Sequence, residues 1–508
     1  MPAEPGPGRI DPEFLELPLH RLADAALSRA RELGAEHADV RVERIASQSV
    51  DLRDGGVTGA VDGTAVGLAV RVLVDGVWGF ASHVELTAER AVAVAARAAE
   101  VARVLAPLAR ERVERAPEPV HADALWCAPY AVDPLTVPVD EKVGLLRGWS
   151  ERLLAAGVDH VQAGLEVERE NKFYADLAGT TTTQQRVRTA PALQATTVDP
   201  AGGFETMALG VPPTARGWEY LTGSAAQGAW DVEAELARIP GWLAEKGRAP
   251  SVEPGCYDLV IDPSNLWLTI HESVGHATEY DRAIGYEAAY AGTSFATPDQ
   301  LGTLRYGSPA MHVTGDRTVP HGLATIGYDD DGVATGQWDL VADGVLVGYQ
   351  LDRAFAPRLG LPRSNGCAYA DSPHHVPLQR MANVSLQPDP AVDRSTDDLI
   401  AGVEDGIYVV GDRSWSIDMQ RANFQFTGQR FYRIRGGRLA GQLRDVAYRG
   451  LTTAFWGGLE AVGGPSTWRL YGATNCGKGQ PGQSAPVSHG CPSALFRRVD
   501  VLNTREEG

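Results

Sequence analysis

Along the first part of the chain the apolar positions change period several times. Leu22, Ala26, Ala30 and Leu33 fall on one helical face and Gly34 comes next, which predicts a helix over 20–34. Alternating or short apolar runs then predict strands at 38–45, 49–53, 66–74 and 77–80. Asp75-Gly76 is a two-residue hairpin signal between the last two. Helical spacing returns over roughly 87–106, with Pro107 near the end. Arg97, Glu100 and Arg103 interrupt this run, so it reads as an amphipathic helix rather than a membrane span. Pro117-Glu118-Pro119 and Asp133-Pro134 mark a linker, and a helix over 139–156 ends at Gly157.

The segment after this second helix repeats the opening theme. Gly34-Ala35-Glu36-His37 returns as Gly157-Val158-Asp159-His160, Val42-Glu43-Arg44 as Val167-Glu168-Arg169, and Asp51-Leu52 as Asp176-Leu177. Each copy leaves a helix and enters a strand, so the pattern reads as an internal duplication of a helix–strand–strand element. From about residue 250 strand signals dominate: 256–261, 323–328, 336–341, 345–351, 406–411, 423–435 and 438–447. Tight turns such as Asp330-Asp331-Gly332 and Asp343-Gly344 make these strands mainly antiparallel. The expected fold class is α+β. A tail (1–18) precedes an α/β unit (19–115), a second α/β unit (130–248) and a large C-terminal β domain (250–505), curled or barrel-like if its sheet closes.

One stretch in the C-terminal part differs. Asp262-Pro263-Ser264 offers a helix cap with proline at the first position. The run Leu266–Tyr280 behind it is mostly apolar but carries His271, Glu272 and His276. Neutral imidazoles are good zinc ligands, and a carboxylate beside a metal can take a proton from water. Histidines four apart share a helix face; these are five apart. At about 100° per residue an ideal α-helix splays them by roughly 140°. A shared metal therefore requires an irregular backbone at 274–276, either a π-type turn or the end of the helix. Gly275, just before the second histidine, suits such a distortion.

Composition narrows the setting. The chain has 508 residues, 44% hydrophobic and 22% charged, as expected of a globular protein with several domains. A net charge of −19 argues against nucleic acid and anionic membrane as partners. Met1–Gly8 is rich in proline and glycine and lacks a basic region followed by an apolar one, so disorder is expected there and no signal peptide. No stretch of about 18 apolar residues is free of charge. The five cysteines form no Cys-x-x-Cys pair, which fits a reducing cytoplasm better than a disulfide framework.

A third metal ligand has several sources. Cys476 lies in a segment rich in glycine, 472–482, expected as a loop able to bend around an ion. His489-Gly490-Cys491 and His374-His375 are rivals. Gly472 to Lys478 partly matches a nucleotide-binding loop, but Gly479 stands where serine or threonine would hold magnesium, and Pro481 disfavours the helix that should come next. No Gly-x-Ser-x-Gly elbow occurs.

These residues resemble the TldD/PmbA family of metallopeptidases. His271-Glu272-x-x-x-His276 matches its signature, continued by Glu279 and Asp281. Tyr369-Ala370-x-x-Pro373, Arg380-Met381-x-Asn383, Gly402–Tyr408 and Asn475-Cys476-Gly477-Lys478 are similar to further segments, in the same order, and Gly67–Arg71 is similar to part of the first domain. The resemblance implies zinc on His271, His276 and Cys476, with Glu272 as general base. It implies peptidase activity on unfolded or short peptides, and pairing with a related PmbA/TldE-like subunit that lacks the motif. A homodimer is the other assembly. Because the motif is present, this chain resembles the catalytic, TldD-like members. Residues 283–291 depart from the commoner pattern, which leaves substrate preference open. Two other classes stay open: a tailoring amidohydrolase acting on a modified peptide or small conjugate, and a non-catalytic peptide-binding subunit with a structural metal.

Overall fold

The computed structural model describes residues 8–199, 203–225 and 228–505. Its first layer is a seven-stranded sheet. β1 (His37–Arg53), β2 (Gly56–Val74) and β3 (Val77–His83) form one meander; β4 (Ala124–Cys127), β5 (His160–Asp176), β6 (Thr181–Val198) and β7 (Phe204–Ala208) form the other half. The order is β3-β2-β1-β5-β6-β4, with β7 also on β6. The strands expected at 38–45 and 49–53 are thus one continuous strand, because polar Ser47 and Gln48 between them still pair on both sides. Asp75 and Gly76 have φ of 49° and 67°, the left-handed pair that a two-residue hairpin requires.

The duplication has a geometric counterpart. β1 and β5 both have 17 residues and lie antiparallel at the centre of the sheet. Ala46 pairs with Arg169, and each is the tenth residue of its strand, so a local two-fold axis passes between them. One half packs Leu19–Glu32 and Ala88–Leu105 over Val40, Val42, Leu68 and Val70. The other packs Val139–Ala155 and Val232–Arg248 over Val161, Leu165 and Leu193, and takes Val50 and Leu52 from β1 into the same core. The two expected α/β units therefore share one sheet. Within the expected tail, residues 1–7 lie outside the described residues, whereas Pro12–Leu15 is helical and Phe14 is fully buried in the first core.

Strand alternation puts Asp39 and Glu43 on the sheet's other face, against the C-terminal part. Arg71 bridges Asp39 at 2.8 Å and Asp331 at 2.5 Å, and Lys172 reaches Asp330 at 2.8 Å, all of them buried.

The C-terminal part is a closed barrel. β8 (Gly255–Ile261) pairs with Asp405–Ile417 and Ala494–Asn503; the latter pairs with Val446–Leu451, which pairs with Asn423–Arg435, which returns to Asp405–Ile417. The pairing of β8 with Asp405–Ile417 is parallel; the others are antiparallel. Aromatic residues pack in the core beside the barrel, among them Phe424, Phe426, Tyr448, Phe455, Trp456 and Phe496. The strand expected at 323–328 is absent: Leu323 and Ala324 make a turn instead, closed by Thr325 N–H donating to Gly322 O at 3.0 Å, and Tyr328 alone forms an isolated bridge, to Ala334. The expected run at 345–351 is a strand only over Val345–Leu346, and 438–447 divides into Arg438–Leu443 and the start of Val446–Leu451 around Asp445, whose φ is 59°. No described helix is long and apolar enough to cross a membrane.

Candidate metal centre

The helix leaving β8 begins as the sequence implies. Asp262 caps it, accepting from Ser264 N at 3.0 Å, and Pro263 takes the first turn. Tyr408 Oη donates to the other Asp262 oxygen at 2.8 Å, tying the cap to the barrel. Regular α-helix runs over Pro263–Ile270, driven by burial of Leu266, Leu268 and Ile270. Over His271–Gly275 the chain widens into a π-turn, with His276 N–H donating to His271 O, and His276–Thr278 then tightens to a 3-10 turn. The expected irregularity is present and begins earlier than 274–276, at the first histidine. A π-turn has about 4.4 residues per turn, so five residues overshoot one turn by only roughly 50°. The two rings accordingly meet, edge to face, with centroids 4.7 Å apart.

Gly275 serves this turn differently from the expectation. Its φ and ψ are −53° and −61°, ordinary right-handed values open to any residue. What it supplies is space: a Cβ there would lie 2.6 Å from Met381 Sδ and 3.0 Å from its Cε.

Cys476 comes from across the domain. The expected glycine-rich loop is mostly strand: Arg469–Lys478 pairs with Gln483–Cys491, and the register slips between Ala473 and Cys476. Such a bulge re-aims side chains, and Cys476 Sγ comes to 3.6 Å from His276 Nε2. Donor atoms of His271, His276 and Cys476 all lie within 4.8 Å of one another, and all three residues are buried. Zinc with bonds of about 2.05 Å to imidazole and about 2.3 Å to thiolate, at tetrahedral angles, sets sulfur and nitrogen about 3.6 Å apart. The donor set therefore fits zinc.

Hydrogen bonds fix the form of each donor. His489 Nδ1 lies 2.8 Å from the Val384 carbonyl, which can only accept, so Nδ1 carries the proton and Nε2 the lone pair. That lone pair lies 2.8 Å from His271 Nδ1, which must donate to it, leaving His271 Nε2 unprotonated. His276 Nδ1 donates to Glu279 Oε2 at 2.7 Å, which frees its Nε2 as well. Both imidazoles thus present the nitrogen a metal needs, oriented by a partner behind them. Burial pushes His271 and His489 down, His489 well below the usual histidine value, which disfavours a charge on either ring. Burial pushes the Cys476 thiol up, but the positive charge around it, Arg380 included, outweighs this and holds it below the usual cysteine value.

A buried ion cluster braces the far side. Lys478 donates to Glu279 at 3.0 Å and to Asp281 at 2.8 Å, and Arg282 reaches Glu287 at 3.0 Å. Burial opposes charge on Glu279, yet Lys478, His276 and Arg282 hold its carboxyl well below the ordinary value. The lysine that suggested a phosphate loop is therefore engaged with carboxylates. Arg380 donates to the Cys476 carbonyl, and its neighbour Met381 packs on Gly275.

Glu272, buried in the π-turn directly after His271, has one oxygen held by Arg421 Nη1 at 2.6 Å. Burial raises its carboxyl, but the positive charge around it, with Arg421 in direct contact, more than offsets this and holds it below the usual glutamate value. Sequence reasoning missed Arg421, which belongs to no motif. The rival ligands go elsewhere. His489 stands behind His271; Cys491 Sγ contacts the Pro263 carbonyl at 3.7 Å; His374 and His375 pair with Ser82 and Asp371.

Known proteins resemble this chain in sequence and in fold. Residues 254–503 match the PmbA/TldA metallopeptidase C-terminal domain, and residues 38–102 match domain 1 of the same metallopeptidases. A metalloprotease of Methanothermobacter thermautotrophicus is 30% identical over 484 residues, covering 92% of this chain and 96% of its own. A zinc metalloprotease TldD homolog of Saccharolobus solfataricus is 23% identical over 273 residues, 54% of this chain and 57% of its own. Among solved structures, TldE of Thermococcus kodakarensis shares the fold with a TM-score of 0.69 at 16% identity, covering 94% of this chain and 99% of its own. A Thermotoga maritima protein does so with a TM-score of 0.73 at 16% identity, covering 95% of this chain and 100% of its own.

Proposed function

The chain belongs to the TldD/PmbA family of metallopeptidases, and from that premise we propose that it is a zinc peptidase acting on unfolded or short peptides. In this reading His271, His276 and Cys476 hold the metal and Glu272 is the general base. The observation that carries it is the convergence of two imidazole nitrogens and a thiol, within 4.8 Å of one another, with the buried Glu272 carboxylate in the same π-turn engaging, among the described residues, only Arg421 through one oxygen. Three protein donors leave a tetrahedral ion one open position, the arrangement of catalytic rather than structural sites.

Zinc at these donors would supply a Lewis acid that polarises a carbonyl and acidifies water. The chain's residues do the rest. Glu272 takes a proton from the attacking water on its free oxygen as the hydroxyl joins the peptide carbon. As the C–N bond breaks, the same carboxyl passes that proton to the leaving amine. His489 and Glu279 keep His271 and His276 in the ligating tautomer throughout. We assign this chemistry to residues 250–505. The assembly we favour pairs this chain with a motif-lacking subunit of the same fold, and a second copy of this chain is the alternative. The five cysteines are all free thiols, which suits a cytoplasmic location.

The test is direct. The purified chain, loaded with zinc, is incubated with an unstructured peptide, alone and with a motif-lacking relative, and products are read by mass spectrometry. Cleavage that disappears with a chelator and returns with zinc is expected. Stoichiometric zinc without cleavage in either mixture would overturn the reading of a peptidase for unfolded or short peptides.

A further inference from the structure

Arg421 stands at the tip of the hairpin joining the barrel strands Asp405–Ile417 and Asn423–Arg435. Its φ is +63°, a left-handed conformation that costs a non-glycine residue and is held only where surroundings over-determine it. Here they do. Asp418 Oδ1 accepts from Gln420 N at 2.9 Å and from Ala422 N at 3.0 Å. Thr293 N and Phe295 N donate to the Met419 and Gln420 carbonyls at 2.7 and 2.8 Å. Thr452 Oγ1 donates to the Arg421 carbonyl at 2.6 Å. Gly292 closes against the tip, where a Cβ would fall 1.9 Å from the Met419 oxygen.

This rigid tip delivers one guanidinium to Glu272. Nη1 lies 2.6 Å from Oε2, and Glu272 has no other hydrogen-bond partner among the described residues. The neighbouring Arg282 is committed to Glu279, Glu287 and the Ala291 carbonyl. Nothing in the turn itself calls for arginine: a left-handed position takes glycine or asparagine at lower cost. The long side chain therefore answers to what it meets.

Building on the peptidase reading, we propose that Arg421 is the positioning residue for Glu272. It fixes Oε2 so that Oε1 is aimed at the proton of the attacking water. A glutamate side chain free to rotate would spend most of its time away from that geometry, and small misplacements of a catalytic group are costly.

The test uses Arg421→Gly and Arg421→Lys in the zinc-loaded protein. Glycine accepts the backbone conformation without strain, so the variant keeps the hairpin. Arg421→Gly should lower kcat about 100-fold, with KM and zinc affinity by chelator competition within about threefold of wild type. Arg421→Lys should restore a substantial part of kcat. Crystals of zinc-free Arg421→Gly should show the Glu272 carboxylate out of its present place while His271, His276 and Cys476 stay put. Unchanged kcat with Glu272 in place would overturn the proposal. So would a rise in KM at constant kcat, which would make Arg421 a substrate-binding group. If wild type cleaves nothing yet Glu272 moves in the variant crystals, the peptidase reading falls and the positioning role stands.

Discussion

The seven-stranded sheet and the histidine helix solve opposite problems. The sheet repeats one regular unit, and its central strands β1 and β5 pair over their length without a register shift. Its residues serve packing, and its buried charges are spent against the C-terminal domain. The helix abandons regularity one residue after Ile270, changing from α to π to 3-10 within His271–Thr278. Its polar residues are buried and bond to partners such as His489, Arg421 and Glu279 rather than to solvent. Regular hydrogen bonding is what stabilises the first region; in the second it yields to the need for two donors to meet. The comparison teaches where substitution should cost stability and where it should cost chemistry.

The sharpest test of that division is Glu272→Gln. The amide keeps the size of the carboxylate and can still accept from Arg421, but it cannot take a proton from water. Hydrolysis should fall by about 10³-fold or more, with zinc content and thermal unfolding near wild type. A variant that binds zinc normally and cleaves at the wild-type rate would remove Glu272 from the role of base.

Cys476→Ala should come next, lowering zinc affinity by about 100-fold or more in chelator competition, since a ligand is lost outright. Cys491→Ala should leave zinc affinity nearly unchanged, because that thiol contacts the Pro263 carbonyl and is not among the converging donors. Inverted results in the two variants would reassign the third ligand. His489→Ala is gentler. It leaves the His271 Nδ1 proton without its acceptor, and loss of such a partner costs about 10–100-fold in metal affinity. No change would mean that His271 needs no help to hold its tautomer.

The reach of the sequence divides along the same line. The sheet was legible because alternation and turn residues are local: Asp75-Gly76 marks a hairpin whatever surrounds it. The break in the helix was legible for a different reason, since two histidines five residues apart cannot share a face of an α-helix. Segments that depend on distant partners were not. The glycines of 472–482 suggested a loop, yet most of that segment pairs as a two-stranded ribbon, and no local signal sets its register. His489 looked like a rival ligand because histidine beside cysteine reads as a metal site; only the Val384 carbonyl and His271 show that it stands one shell behind. Arg421 had no signal at all. It lies 149 residues from Glu272 in a turn of ordinary composition, and its meaning exists only in three dimensions.

Two glycine-to-alanine changes give the finest contrast and the smallest effect at the metal. At Gly79 in β3 a Cβ would lie 1.9 Å from the Ala98 carbonyl oxygen and 2.6 Å from the Ala102 nitrogen. Those are backbone atoms of the helix Ala88–Leu105, which can yield only by moving away from the sheet. Gly79→Ala should therefore cost about 3 kcal/mol, seen as a lower thermal midpoint, with zinc affinity untouched. At Gly275 the obstacle is the end of Met381, a flexible side chain that can rotate aside, and the His489 Cε1 contact at 3.6 Å is ordinary. Gly275→Ala should cost only about 1 kcal/mol. The displaced methionine lies over the π-turn, however, so the two imidazoles should lose some of their alignment and zinc affinity should fall by about threefold. Equal stability losses at the two sites, or a zinc effect at Gly79 and none at Gly275, would mean that packing and ligation are not separated between sheet and helix as the geometry implies.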